Sequence, residues 1–235
     1  MANNSKSGKT QNAVKARAVL FELETVAVNG RKTLYDTVRR ALKDEKSDLT
    51  PVDYSRYFMD RPLAEGLERY VGARELNVPV AQLSKRIDAD IAAWASGGRL
   101  KLNPALSAWL ERRQPSQVRM GALCGLGGSV TEALSAALGL KDKSDDCLFL
   151  AMEGGRSPTA DAWLKLAKQL KVIPPLCVVL ASGMKSVKSA IAAGMHCVAI
   201  EDSFNAFQDF SGADYIVDEL DADILDKALE LMQRH

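Results

Sequence analysis

Histidine is almost missing from this chain of 235 residues: only His196 and His235 occur. The four cysteines, Cys124, Cys147, Cys177 and Cys197, stand far apart, and no C-x-x-C pair exists. A zinc site therefore has no ligand set to draw on, and buried reduced thiols of a cytoplasmic protein are expected instead of disulfides. Neither sign of charge dominates, since 31 Lys and Arg face 30 Asp and Glu for a formal net charge of +1. That balance argues against a nucleic-acid footprint and against attachment to an acidic membrane surface. No run reaches the ~18 apolar residues of a membrane span. No charged, apolar and small-residue sequence of the secretory kind opens the chain. Neither a nucleic acid nor a membrane is expected as a partner, and the expected location is cytoplasmic.

Hydrophobic residues make up 47% of the chain, enough for a globular core. Residues 1–16 are polar, basic and aperiodic, and read as a flexible tail. Gly8-Lys9-Thr10 looks like the end of a phosphate-binding loop, but Asn3 holds the required first glycine position. The segment also precedes the first strand instead of following one, so it is rejected.

The rest is organised around Ala18 to Val28. Apolar residues run to Phe21, then Glu22 and Glu24 alternate with Leu23. On a strand, alternation points both carboxylates the same way, and open α/β sheets carry their chemistry at that carboxyl end. Two acids there suit a hard cation, or a nucleophile and a proton donor.

After Asn29-Gly30, apolar residues fall at helical spacing in four successive stretches that end near Gly97-Gly98. So long a helical region is too large for a simple crossover between strands and reads as an inserted helical cap. From Asn103-Pro104 the pattern alternates, with strands expected at Val118 to Cys124, Cys147 to Met152, Leu176 to Leu180, His196 to Ile200 and Ala213 to Val217. Ser129 to Glu132 has capping-box spacing, Glu153-Gly154-Gly155 reads as a turn, and Pro158 suits a first helical turn. The expected fold class is α/β: a Rossmann-like parallel sheet core with helices on both faces plus an inserted all-helical cap. Its parts are a tail at 1–16, a core at 17–30 and 99–235, and a cap at 31–98.

Strand, helical insert and four further βα units resemble the haloacid dehalogenase-like phosphatases and phosphomutases, in the branch of β-phosphoglucomutase and phosphoglycolate phosphatase. Phe21-Glu22-Leu23-Glu24-Thr25-Val26-Ala27 is similar to that family's opening Phe-Asp-Leu-Asp-Gly-Thr-Leu. Leu138-Gly139-Leu140, Asp161-Ala162-Trp163-Leu164 and Ala192-Ala193-Gly194-Met195 match further family segments. The resemblance implies a Mg²⁺-dependent phosphatase fold, and it also exposes departures. Glu22 stands for the nucleophilic aspartate and Glu24 for the acid/base. Each glutamate moves its carboxylate by roughly an ångström, a misplacement that can cost ~100-fold in rate.

Val26 replaces the phosphate-holding threonine, and Cys124 replaces a serine or threonine with a weaker donor. Ser157 falls on the phosphate-neutralising lysine, with Arg156 beside it as a displaced substitute. Ala181-Ser182 replaces the acids that hold the metal, and a serine there weakens a hard-cation site. By the same resemblance, Arg61 falls in the substrate loop of the cap. Candidate phosphate contacts are Cys124, Gly125, Arg156 and Ser157. Gly125 to Gly128, just before a helix, could cradle an anion, although Val130 breaks G-x-G-x-x-G.

The expected function is a phosphatase-fold protein that has lost phosphoryl transfer and acts as a non-catalytic binding or regulatory module. Its expected partner is a small anion in the old cleft or a protein, and no cofactor is expected. Two alternatives stay open. In one, a Mg²⁺-dependent phosphomonoester hydrolase uses Glu22 and Glu24; in the other, a different enzyme reuses the cleft through Cys124 or Glu22.

Overall fold

In the computed structural model the described residues are 16–98, 100–113, 117–140, 146–152 and 157–232. The strands are β1 (Arg17–Glu22), β2 (Val118–Cys124), β3 (Cys147–Ala151), β4 (Cys177–Ala181), β5 (His196–Ile200) and β6 (Tyr215–Val217). They form one sheet in the order β3-β2-β1-β4-β5-β6, with every pair parallel. Central β1 is apolar on both faces because both faces are covered, and Ala18 to Phe21 are fully buried.

Helices α1 (Arg31–Asp44), α2 (Pro51–Tyr57), α3 (Leu63–Ala73) and α4 (Val80–Ser96) follow β1 without an intervening strand. Then come α5 (Pro104–Arg112), α6 (Gly128–Ala137), α7 (Ala160–Gln169), α8 (Met184–Ala192) and α9 (Ala222–Leu231). Right-handed crossovers put α5 and α6 on one face of the sheet and α7 and α8 on the other. The pairings agree: α7 packs on α8, and α5 on α9.

Helix α4 packs on α1 and α3 and also on α6, so the helical segment rests on a helix that follows β2. An aromatic group strengthens that closure. Tyr35 of α1 and Tyr54 of α2 meet Phe204, beyond β5, at ring-centroid distances of 5.0 and 5.8 Å. Contacts of this kind add about 1 kcal/mol each beyond the area they bury.

Three local expectations are corrected. Strand β1 ends at Glu22, and Leu23–Ala27 form a single π-helical turn, so Glu24 is not a strand residue. Turns of this type often mark functional sites. Helix α6 opens two residues early, because Gly127 and not Ser129 takes the cap position, at φ 88°, and the Thr131 hydroxyl donates to the Gly127 carbonyl at 2.7 Å. The Ser129-to-Glu132 capping box therefore does not form. Thr159 caps α7, its hydroxyl oxygen accepting the Ala162 N–H at 3.2 Å, which leaves Pro158 outside the helix. The turn expected at Glu153-Gly154-Gly155 lies outside the described residues.

Candidate functional site

Strand order reverses at β1, whose neighbours β2 and β4 lead away in opposite directions. Open α/β sheets form their crevice at such a switch point. Register then chooses the partners of the two acids. Phe21 faces Leu180 of β4 and Glu22 faces Leu123 of β2. Glu22 thus emerges beside Ser182, the first residue beyond β4, and the π turn carries Glu24 over to Gly125, the first beyond β2.

Glu22 is only 8% exposed. Its Oε2 accepts the Ser182 backbone N–H at 2.6 Å and lies 2.6 Å from Ser182 Oγ. Thr25 Oγ1 sits 2.7 Å from that hydroxyl and 3.3 Å from the same Glu22 oxygen. A hydroxyl carries one proton, so when Ser182 donates to Glu22, Thr25 donates to Ser182. Burial pushes the Glu22 carboxyl above the usual carboxylate range. The Ser182 hydrogen bonds and the positive charge of Arg31 offset part of that rise, and Asp60 adds to it.

Glu24 Oε1 accepts the Gly125 N–H at 2.8 Å, while its Oε2 is buried without a hydrogen-bond partner. Burial first, and the charge of Glu22 second, push this carboxyl up to about 7. Behind Ser182 lies a buried polar network. The Ser182 carbonyl accepts from Arg31 Nη2 and, at 2.8 Å, from Asn205 Nδ2. Arg31 Nε pairs with Asp202 Oδ2 at 2.7 Å. The other oxygen of Asp202 accepts the N–H groups of Phe204 and Asn205 at 2.7 and 3.1 Å, which fixes the carboxylate in place. Arg31 is the first residue of α1, where the helix dipole opposes a positive charge; Asp202 offsets that opposition.

From the helical side, the turn between α2 and α3 brings Asp60 and Arg61. The Asp60 carboxylate accepts from Ser157 Oγ and Gln208 Nε2, each at 3.3 Å. Arg61 Nε is buried without a hydrogen-bond partner.

Glu22, Glu24, Arg61, Gly125, Ser157 and Ser182 all line one cavity of about 580 Å³. Cys124 does not reach it. The thiol is fully buried at the end of β2, and burial, followed by the nearby Glu24 charge, pushes it far up. Arg156 lies outside the described residues. Sequence reasoning misses Arg31, Asp60, Asp202 and Asn205. A basic residue opening α1 against the helix dipole was the one signal pointing to a buried partner.

For a magnesium ion the donors do not fit. No three of the His, Cys, Asp and Glu side chains among the described residues gather around one point. A hard cation needs several oxygens with free lone pairs, but Glu22 Oε2 already receives the Ser182 donors and Arg31 supplies the neighbouring positive charge.

The parallel sheet and the helical segment after its first strand give a haloacid dehalogenase-like fold, similar to that of solved β-phosphoglucomutases and a predicted phosphoglycolate phosphatase. No family model matches the chain. Protein CbbY of Rhodobacter capsulatus is 24% identical over 157 residues, 65% of this chain and 68% of that one. Among solved structures, CbbY from Rhodobacter sphaeroides in complex with phosphate superposes with a TM-score of 0.72 at 17% identity, covering 87% of this chain and 94% of that one. β-Phosphoglucomutase from Clostridium difficile gives 0.72 at 14% identity over 94% and 100% of the two chains. A predicted phosphoglycolate phosphatase from Haemophilus somnus gives 0.73 at 15% identity over 90% and 97%. At these identities the structural likeness establishes the fold.

Proposed function

We propose that this protein keeps a phosphatase-like fold, has lost phosphoryl-transfer chemistry and works as a non-catalytic binding or regulatory module. Residues 17–30 and 99–235 act as its core and 31–98 as its cap. The observation that carries this is the capture of Glu22 Oε2 by both donors of Ser182. A carboxylate nucleophile needs a free anionic oxygen in line with the reacting centre. Here Oε2 is held as a buried acceptor, and burial pushes the whole carboxyl towards its protonated form. Both donors of Ser182 are spent on Glu22, and the residues present do not make a Mg²⁺ site.

The third reading, with Cys124 as a reacting thiol, is disfavoured because that thiol is buried and held protonated. Among the described residues no helix is long and apolar enough to cross a membrane, in keeping with the cytoplasmic location we propose. The phosphohydrolase alternative keeps one supporting observation. Glu24, pushed up to about 7, has a suitable pKa for acid/base work at neutral pH.

Calorimetric titration with MgCl₂ separates the two. A non-catalytic module predicts no saturable binding below about 1 mM. Micromolar affinity that disappears in Glu22→Gln would return the protein to the phosphohydrolases.

A further inference from the structure

Asp60 reaches from the cap to the core, and its contacts come from separate segments. Its carboxylate accepts from Ser157 Oγ, ahead of α7, and from Gln208 Nε2, beyond β5, each at 3.3 Å. Its backbone carbonyl accepts from Lys185 Nζ of α8 at 2.8 Å. The carboxylate lies directly on the turn beyond β4: a Cβ placed on Gly183 would sit 2.6 Å from Asp60 Oδ1. Glycine at that position is what allows the approach. Gln208 holds both sides of the junction, since its Oε1 also accepts the Met184 N–H at 2.8 Å.

The backbone of Asp60 is itself in the left-handed region, at φ 61°. For a residue other than glycine this conformation is uncommon, and Asp and Asn tolerate it best. The turn therefore holds an unfavourable conformation while it presents a carboxylate inward. Nothing about solvation requires that, because an exposed turn could place the same side chain in water. Asp60 is also near enough to Glu22 for its charge to act on that carboxyl.

We propose that Asp60 is a specificity-determining residue: a tethered anion that latches the cap onto the core and bars free anions from the cleft. This rests on the non-catalytic reading and names what the site refuses. Ser157, a hydroxyl donor lining this side of the cavity, is already used by a carboxylate of the chain, which Gln208 also holds. A second anion arriving there meets the like charge of Asp60. Arg31 does not compensate, because it is committed to Asp202 and the Ser182 carbonyl, so of the two guanidinium groups lining the cavity a free anion is left with Arg61.

The test is calorimetry with inorganic phosphate on the full chain, comparing wild type with Asp60→Asn and Asp60→Gly. Both replacements accept the left-handed backbone, and circular dichroism checks that each remains folded. Wild type should bind phosphate more weakly than about 10 mM, and each variant should bind it at least about tenfold more tightly. Amide exchange across residues 58–62 and 184–188 should accelerate at least about tenfold in Asp60→Gly, the variant that removes the latch outright.

Unchanged phosphate affinity in both variants would overturn the proposal, and so would unchanged exchange in Asp60→Gly. Wild-type affinity tighter than about 0.1 mM overturns it without any variant. Turnover of a phosphomonoester by wild type is a separate failure: it would refute the loss of catalysis, while the phosphate affinities would still decide the role of Asp60.

Discussion

Ser182 Oγ lies 2.6 Å from Glu22 Oε2, and the Ser182 N–H reaches the same oxygen. The family resemblance implies an acid at each position; in this chain the two residues share a hydrogen bond instead. The extra methylene of Glu22 carries its carboxyl to the backbone beyond β4, and the small Ser182 makes room and supplies two donors.

Restoring one acid alone should therefore do harm. In Ser182→Asp a second carboxylate faces Glu22 across hydrogen-bond distance, and two such groups do not both ionise. We expect a loss of roughly 2–3 kcal/mol at pH 8 and a smaller one near pH 4. Urea denaturation at the two pH values measures both.

Arg31 and Asp202 hold α1 against the loop beyond β5. Asp202 is about one-third exposed, so the pair is worth less than a fully buried one. Arg31→Met and Asp202→Asn should each cost on the order of 2 kcal/mol. The double variant should cost clearly less than their sum, and equilibrium unfolding of all four proteins gives the coupling.

Glu24 makes stability depend on pH in the direction opposite to most surface acids. Its carboxyl sits at about 7 in the folded chain against 4.5 in the free residue. Between those values the folded state binds more protons than the unfolded state. Its contribution is therefore fully present below about 4.5 and is lost as pH rises through 7. Glu24→Gln should remove on the order of 1–3 kcal/mol of that decline. Thermal unfolding of both proteins from pH 5 to pH 8 shows the slope.

The thiols should be slow to react. Cys124, Cys177 and Cys197 are buried, while Cys147 is only partly so. Burial pushes Cys147 and Cys177 up to about 12, so little thiolate exists at pH 8. Labelling of the native protein with an aromatic disulfide reagent should modify Cys147 first and the other three only on unfolding. Mass spectrometry of the labelled peptides reads the order.

Much of the fold was legible because its signals are local and repeated. Five apolar runs separated by helix-period segments specify parallel βα units, and Val118 to Cys124 and His196 to Ile200 are strands at those very bounds. The π turn was not legible, since Glu22-Leu23-Glu24 alternates as a strand would and only tertiary contacts stop it at Glu22. The site was half visible. Glu22 and Glu24 follow from the apolar run that ends in them, Ser157 and Ser182 from the family resemblance, and each lines the cavity. Asp60 and Asn205 act through partners more than 20 residues away in sequence, and nothing in their immediate neighbours announces such pairing. Cys124 shows the opposite error: the right strand end, but a side chain buried in the sheet layer.

The central claim is the loss of phosphoryl transfer, and steady-state turnover tests it most directly. Purified protein is assayed with and without MgCl₂ against a panel of sugar and small-acid phosphates, with Glu22→Ala as the control. The account predicts release of phosphate at the background rate with or without the metal, identical in the two proteins. A Mg²⁺-dependent turnover above about 1 per second, abolished in Glu22→Ala, would contradict it.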